Sequence, residues 1–188
     1  AICATGHADG TVQIRPIGRG SPTIFKGSPW QVSHLAFDSS GTYLAAAHTA
    51  PLLEHKSGDV LEVWSATQAT RVGRPIAVLG QMSWVAILHD GRTAVTLANT
   101  LGQSLLRTWN LETGQMIAGP RPIHGRVAAL SPDGKVVGVV TVGESYRSAQ
   151  QQVLYFNALD LAPVQTGPPM NADASTATAA TFDRKGAW

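Results

Sequence analysis

Apolar and polar residues alternate in short runs along this chain, and the runs recur in a fixed order. Val32 to Phe37 alternates and enters a turn at Asp38 to Gly41; Thr42 to Ala47 then resumes as a second strand. Val60 to Trp64 predicts a third strand with Leu61 and Val63 on one face, and Pro75 to Leu79 a short fourth. The same order returns as Trp84 to Leu88, Thr93 to Ala98, Leu105 to Trp109 and Met116 to Ala118. It returns again as Val127 to Leu130, Val136 to Val142, Gln152 to Phe156 and Pro163 to Gln165. Three strands precede the first full set, at Ile2 to Thr5, Thr11 to Arg15 and Thr23 to Phe25, and Thr176 to Phe182 follows the last. No window of a dozen residues combines helical spacing with a cap, so the pattern predicts an all-β chain.

Two markers keep the same period. Turns ending in glycine occur at Asp38 to Gly41, Leu88 to Gly91, Ser131 to Gly134 and Asp183 to Gly186, with glycine-to-glycine steps of 50, 43 and 52 residues. Third strands end on Trp64, Trp109 and Phe156, in steps of 45 and 47. A shared period of this size fits a four-stranded antiparallel blade, repeated around an axis as a β-propeller. The strands amount to about four blades: three complete, and one whose members are divided between the two ends. The expected divisions are a partial blade at 1–27, blades at 28–80, 81–125 and 126–172, and the first strand of a further blade at 173–188. The chain opens and stops inside strands, so it is expected to be a segment of a larger ring. The open blade edges would then offer sites for self-association.

Composition narrows the class. Of 188 residues, 44% are hydrophobic and 14% charged, below the usual quarter, so the chain is expected to pack rather than stay disordered. Nineteen glycines and 11 prolines suit many tight turns. Net charge is +2, and the arginines and lysines are scattered, which argues against nucleic acid as a partner. The single cysteine, Cys3, cannot form an internal disulfide; inside a strand it is expected to fill core space. No apolar run approaches a membrane span, and a cytoplasmic location is expected.

No reactive constellation emerges from the motifs. His48 and His55 flank Glu54, but the spacing fits no compact metal site, and a solvated loop is expected instead. Gly6 to Gly10 lacks the glycine spacing and following helix of a phosphate loop. Glu54, Glu62, Glu112 and Glu144 lie in different repeats, with nothing to pair them as acid and base. Trp30, Trp84 and Trp188 sit beside first strands and are expected to pack between blades. No catalytic residue, cofactor or metal is expected. The long connections are the candidate interaction surfaces. They supply His48, Leu52, Leu53, Glu54, His55 and Lys56 from one segment, and Glu144, Tyr146 and Arg147 from another.

The segments Val127 to Gly134, Val32 to Gly41, Leu105 to Gly114 and Asp9 to Ile14 resemble the WD-repeat β-propeller family. The name-giving Trp-Asp pair is replaced by Arg15-Pro16, Trp64-Ser65, Trp109-Asn110 and Phe156-Asn157. The resemblance transfers no complete His, Ser/Thr, Asp and Trp network; apolar packing is expected to hold the blades instead. Val72 to Ile76 and Thr113 to Pro120 look like repeats of large bacterial WD-repeat proteins, some of which carry a serine/threonine kinase domain elsewhere. The resemblance implies a non-catalytic protein-interaction scaffold within a multi-domain protein. The competing expectation is part of an enzymatic propeller, of the quinone-dependent dehydrogenase or lactonase type.

Overall fold

The computed structural model describes residues 1–18, 20–50, 58–141, 150–166, 170–171 and 180–182. Strands β1 (Ile2–Gly6), β2 (Thr11–Pro16) and β3 (Thr23–Lys26) form a first antiparallel sheet in that order. The second contains β4 (Val32–Phe37), β5 (Tyr43–His48), β6 (Asp59–Ser65), β7 (Thr70–Arg71) and β8 (Ile76–Val78); β6 pairs with both β7 and β8. The third runs β9 (Gln81–Ile87), β10 (Thr93–Thr100), β11 (Gln103–Asn110), β12 (Met116–Ile123). Next come β13 (Gly125–Leu130), β14 (Val136–Thr141), β15 (Gln150–Gln151), β16 (Val153–Asn157), β17 (Pro163–Thr166) and β18 (Met170–Asn171). The fourth sheet takes β13, β14, β16 and β17, while β15 pairs with β18. No helix occurs among the described residues.

The sheets stack face to face through three apolar seams. Val12, Ile14 and Phe25 of the first sheet meet Leu44, Ala46 and Trp64 of the second. The opposite face of the second offers Ala45, Leu61, Val63 and Val78 to Met82, Val85, Ala94 and Trp109 of the third. Leu97 and Leu106 of the third then meet Val137, Val139 and Phe156 of the fourth. The middle sheets are therefore covered on both sides. This explains why β6 is buried along its whole length, instead of alternating as a half-solvated strand does. The consecutive alanines Ala45, Ala46 and Ala47 of β5 let both neighbours approach closely. The result is a propeller-like array in which the described sheets do not close on themselves.

Each third-strand aromatic does the same work. Trp64, Trp109 and Phe156 all face the preceding sheet. The residue after each aromatic caps the following turn. Asn110 Oδ1 accepts from the Glu112 and Thr113 amides at 3.0 and 2.9 Å, and Asn157 Oδ1 from the Leu159 amide at 2.9 Å. Ser65 Oγ accepts from the Gln68 amide at 3.2 Å. Asn and Ser thus supply the side-chain acceptor that an Asx-type turn needs.

Two details differ from the sequence expectation. Cys3 is exposed, because it pairs with Arg15 on the face of the first sheet turned away from the second. Strand β12 continues past Ala118 through Pro120 and Pro122, which an outermost strand tolerates. Trp84 is half-buried against the third seam, and Trp30 is half-buried in the link between β3 and β4. The predicted strand Thr176 to Phe182 and the turn Asp183 to Gly186 lie largely outside the described residues. Residues 180–182 form no strand, although Phe182 lies 6.5 Å from Tyr155, ring to ring.

Candidate interaction face

The two ends of the sheets are built differently. First-to-second strand turns contain five residues in all three complete sheets, at 38–42, 88–92 and 131–135. Their glycines share one left-handed conformation, with φ of +72° at Gly41, +63° at Gly91 and +70° at Gly134. Second-to-third connections have four residues in the first sheet, ten in the second and two in the third. Of the candidate interaction residues, Leu52, Leu53, Glu54, His55, Lys56, Glu144, Tyr146 and Arg147 lie outside the described residues. His48 is corrected: it is a fully buried member of β5, held there by pairing with Val60.

His48 belongs to a buried polar cluster. Its Nδ1 lies 3.1 Å from the Trp30 carbonyl, which can only accept, so Nδ1 carries a proton. Its Nε2 lies 3.1 Å from Glu62 Oε2, an ion-pair contact not aligned as a hydrogen bond. Both ring nitrogens face oxygen atoms. Glu62 is 2% exposed; its Oε2 also accepts the Ser28 amide at 2.9 Å, and its Oε1 pairs with Arg71 at 3.1 Å. A Cβ on Gly27 would come within 2.3 Å of Glu62 Oε2, so a side chain there would push the Glu62 carboxylate out of this position.

Burial pushes the Glu62 pKa up, but His48, the Ser28 amide and Arg71 together outweigh it and hold the carboxyl below its ordinary 4.5. An acid with a depressed folded pKa stabilises fully above its unfolded pKa and loses that contribution as pH falls through the folded value. The stability gap between the protein and Glu62→Gln is therefore expected to shrink as pH drops from 7 to 3. Urea midpoints at both pH values measure it; a gap that stays constant would contradict the ionised assignment.

Glu62 is one instance of a repeated device. Counting back from the third-strand aromatic, Glu62 and Arg107 hold the same position, two residues before Trp64 and Trp109. Each grips the link that enters its own sheet, for Arg107 Nη1 donates to the Leu79 carbonyl at 3.0 Å. Five residues before the aromatic, Asp59 and Ser104 grip the start of the next sheet's first strand. The Met82 amide donates to Asp59 Oδ2 at 2.6 Å, and the Ser104 hydroxyl donates to the Gly125 carbonyl. Burial raises the Asp59 pKa and lowers that of Arg107, so both pins carry a desolvation cost. Buried groups and links pair in this way because an unpaired polar atom would cost more. Spacing from the aromatic was available in the sequence, but the approach of the links was not.

At the opposite end, His89 joins three successive turns. Its Nε2 donates to the Pro132 carbonyl at 2.8 Å, leaving Nδ1 to accept the Ser39 hydroxyl. A cleft of about 230 Å³ opens beside it, lined by Phe37, Ile87, Leu130 and Ser131 among others. The serine and imidazole are oriented as a donor–acceptor pair, but the second ring nitrogen meets a carbonyl instead of a carboxylate. The contact ties the turns together and lacks the third member of a nucleophilic triad. Among the described residues no group of three or more His, Cys, Asp and Glu is placed to hold a metal ion.

No protein-family model matches the chain, and no curated protein sequence matches it. Solved structures do. Hydrazine synthase of Kuenenia stuttgartiensis is similar with a TM-score of 0.56 and 17% identity, over 87% of this chain and 47% of that one. The chain thus spans about half the length of this structural relative. At that identity the likeness shows the fold alone.

Proposed function

We propose that this chain is part of a non-catalytic protein-interaction platform of WD-repeat type, within a larger multi-domain protein. The observation that carries the reading is the contrast between the ends of the sheets. First-to-second strand turns keep five residues, whereas second-to-third connections vary from two to ten on the same framework. A constant scaffold with divergent connections places its variation where partners are met. The Trp109 indole supports the family reading, since it donates to Thr96 Oγ1 at 2.9 Å and so supplies two members of the family network. The synthase activity of the structural relative belongs to that protein; only its fold bears on this chain.

The test uses the intact protein. Proteins captured on it are identified, purified and titrated back, and a stoichiometric complex that forms without turnover is expected. The purified protein is also assayed for bound metal. An intrinsic ion at one equivalent, or substrate turnover without a partner, would replace the platform with the enzymatic propeller.

A further inference from the structure

An irregularity in β12 turns one cation, Arg121, toward a cleft. Thr108 pairs with Ala118, but Leu106 pairs with Arg121, so Gly119 and Pro120 together oppose the single residue Arg107. This is a β-bulge, and glycine suits it: Gly119 has φ of +100°, and an added Cβ would come within 2.6 Å of the Leu106 carbonyl. A shift of one residue turns a side chain to the other face of its sheet. Carried on from the Thr108–Ala118 pair without a break, Arg121 would lie opposite Leu105. The bulge sets it opposite Leu106, on the face that meets the fourth sheet. There its Cζ lies 4.9 Å from the centroid of the buried Phe156 ring. Among the described residues neither a carboxylate nor any other acceptor pairs with its N–H groups.

Arg121 lines a cleft of about 460 Å³ between the outermost strand of the third sheet and the β16–β17 turn of the fourth, together with Pro120, Pro122, Asp160 and Leu161. We propose that this cleft binds the carboxylate of an acidic side chain, Glu or Asp, presented by a protein partner. A planar guanidinium offers parallel N–H donors that match a carboxylate, and a neighbouring aromatic ring holds its plane. Asp160 does not satisfy it, because Asp160 Oδ1 accepts the Ala162 amide at 2.9 Å within its own turn. The negative charge of Asp160 in the same wall penalises a phosphate dianion more than a single carboxylate. A lone cation beside an acid is also too little for a nucleic-acid backbone. Pro120 and Pro122 lack the N–H groups by which an edge strand captures another strand, so the ligand enters as a side chain. Strands β14 and β17 run out of the fourth sheet past Val153 and Leu154, away from the turn that lines the cleft. The proposal goes beyond the platform reading, since it places a partner contact at the rim and not at the variable connections.

The experiment follows the Arg121 Nε–H and Gly119 amide signals of the isotopically labelled, intact protein by NMR. The probes are acetyl-Gly-Glu-Gly-amide, acetyl-Gly-Gln-Gly-amide and inorganic phosphate. The Glu peptide is expected to shift both signals saturably, with a dissociation constant of roughly 1–10 mM for a single charge-assisted contact. The Gln peptide is expected to leave them in place. Arg121→Met keeps an unbranched arm over Phe156 and removes the donors, and is expected to weaken Glu-peptide binding, read at Gly119, at least about tenfold. An Arg121 that only closes the seam would change the urea midpoint in Arg121→Met and leave the peptide affinity as it was; that result would overturn the proposal. Absence of a saturable shift, or equal binding of the Gln peptide, would overturn it in the unsubstituted protein, whatever the fold of the variant. Phosphate binding tighter than the Glu peptide would assign the cleft to a phosphoryl group and overturn it as well. Each of these failures leaves the platform reading to its own test, the captured partner.

Discussion

Glu62→Leu is expected to destabilise the protein by about 3–5 kcal/mol, the usual result of breaking a buried ion pair from one side. The substitution removes the acceptor of the Ser28 amide and leaves the buried His48 facing no charge. Arg71, partly exposed, can turn to water and adds little. The cost falls on the His48 side, and a second change should relieve it. His48→Leu in the Glu62→Leu background is expected to recover about 1–3 kcal/mol, because apolar replacement of both partners removes the desolvation penalty. Recovery stays incomplete, since the Ser28 amide and Trp30 carbonyl remain without their partners. Equilibrium urea unfolding of the single and double variants measures both numbers. Additive losses would show that His48 and Glu62 act independently.

Trp109→Ala carries a comparable loss, about 3–5 kcal/mol. The indole is 8% exposed and fills the seam between the second and third sheets. Its removal empties that seam and strips Thr96 Oγ1, which is fully buried, of its donor. Trp109→Phe restores most of the volume but not the hydrogen bond, and is expected to cost about 1–2 kcal/mol less than alanine. Denaturant midpoints for the two variants separate packing from hydrogen bonding. A loss below about 1 kcal/mol for Trp109→Ala would mean that the aromatic does not bridge the sheets.

The strands, their order and the glycine turns were legible because each rests on local chemistry. Alternation over Val32 to Phe37, the turn from Ser131 to Gly134 and the aromatic ends at Trp64 and Trp109 need only neighbouring residues to be read. The polar pins were not legible in this way. Glu62 looks like a lone carboxylate until the link at Ser28, 34 residues earlier, is brought onto it by sheet stacking. His48 reads as the start of a loop, yet pairing with Val60 extends β5 by that one residue and buries the ring. Cys3 reads as core because strands have a buried face; register alone shows which face it takes.

The central claim is that constant sheets carry the variable connections and do not depend on them. It is tested most directly by excising residues 51–57 from the intact protein, closing the gap with Gly-Gly, and measuring stability by urea unfolding. Loop length changes closure entropy slowly, by about 0.6 kcal/mol per doubling, so the free energy of unfolding should move by less than about 1 kcal/mol with an unchanged slope. A loss above about 3 kcal/mol would show that the segment belongs to the scaffold and would contradict the division between framework and binding surface.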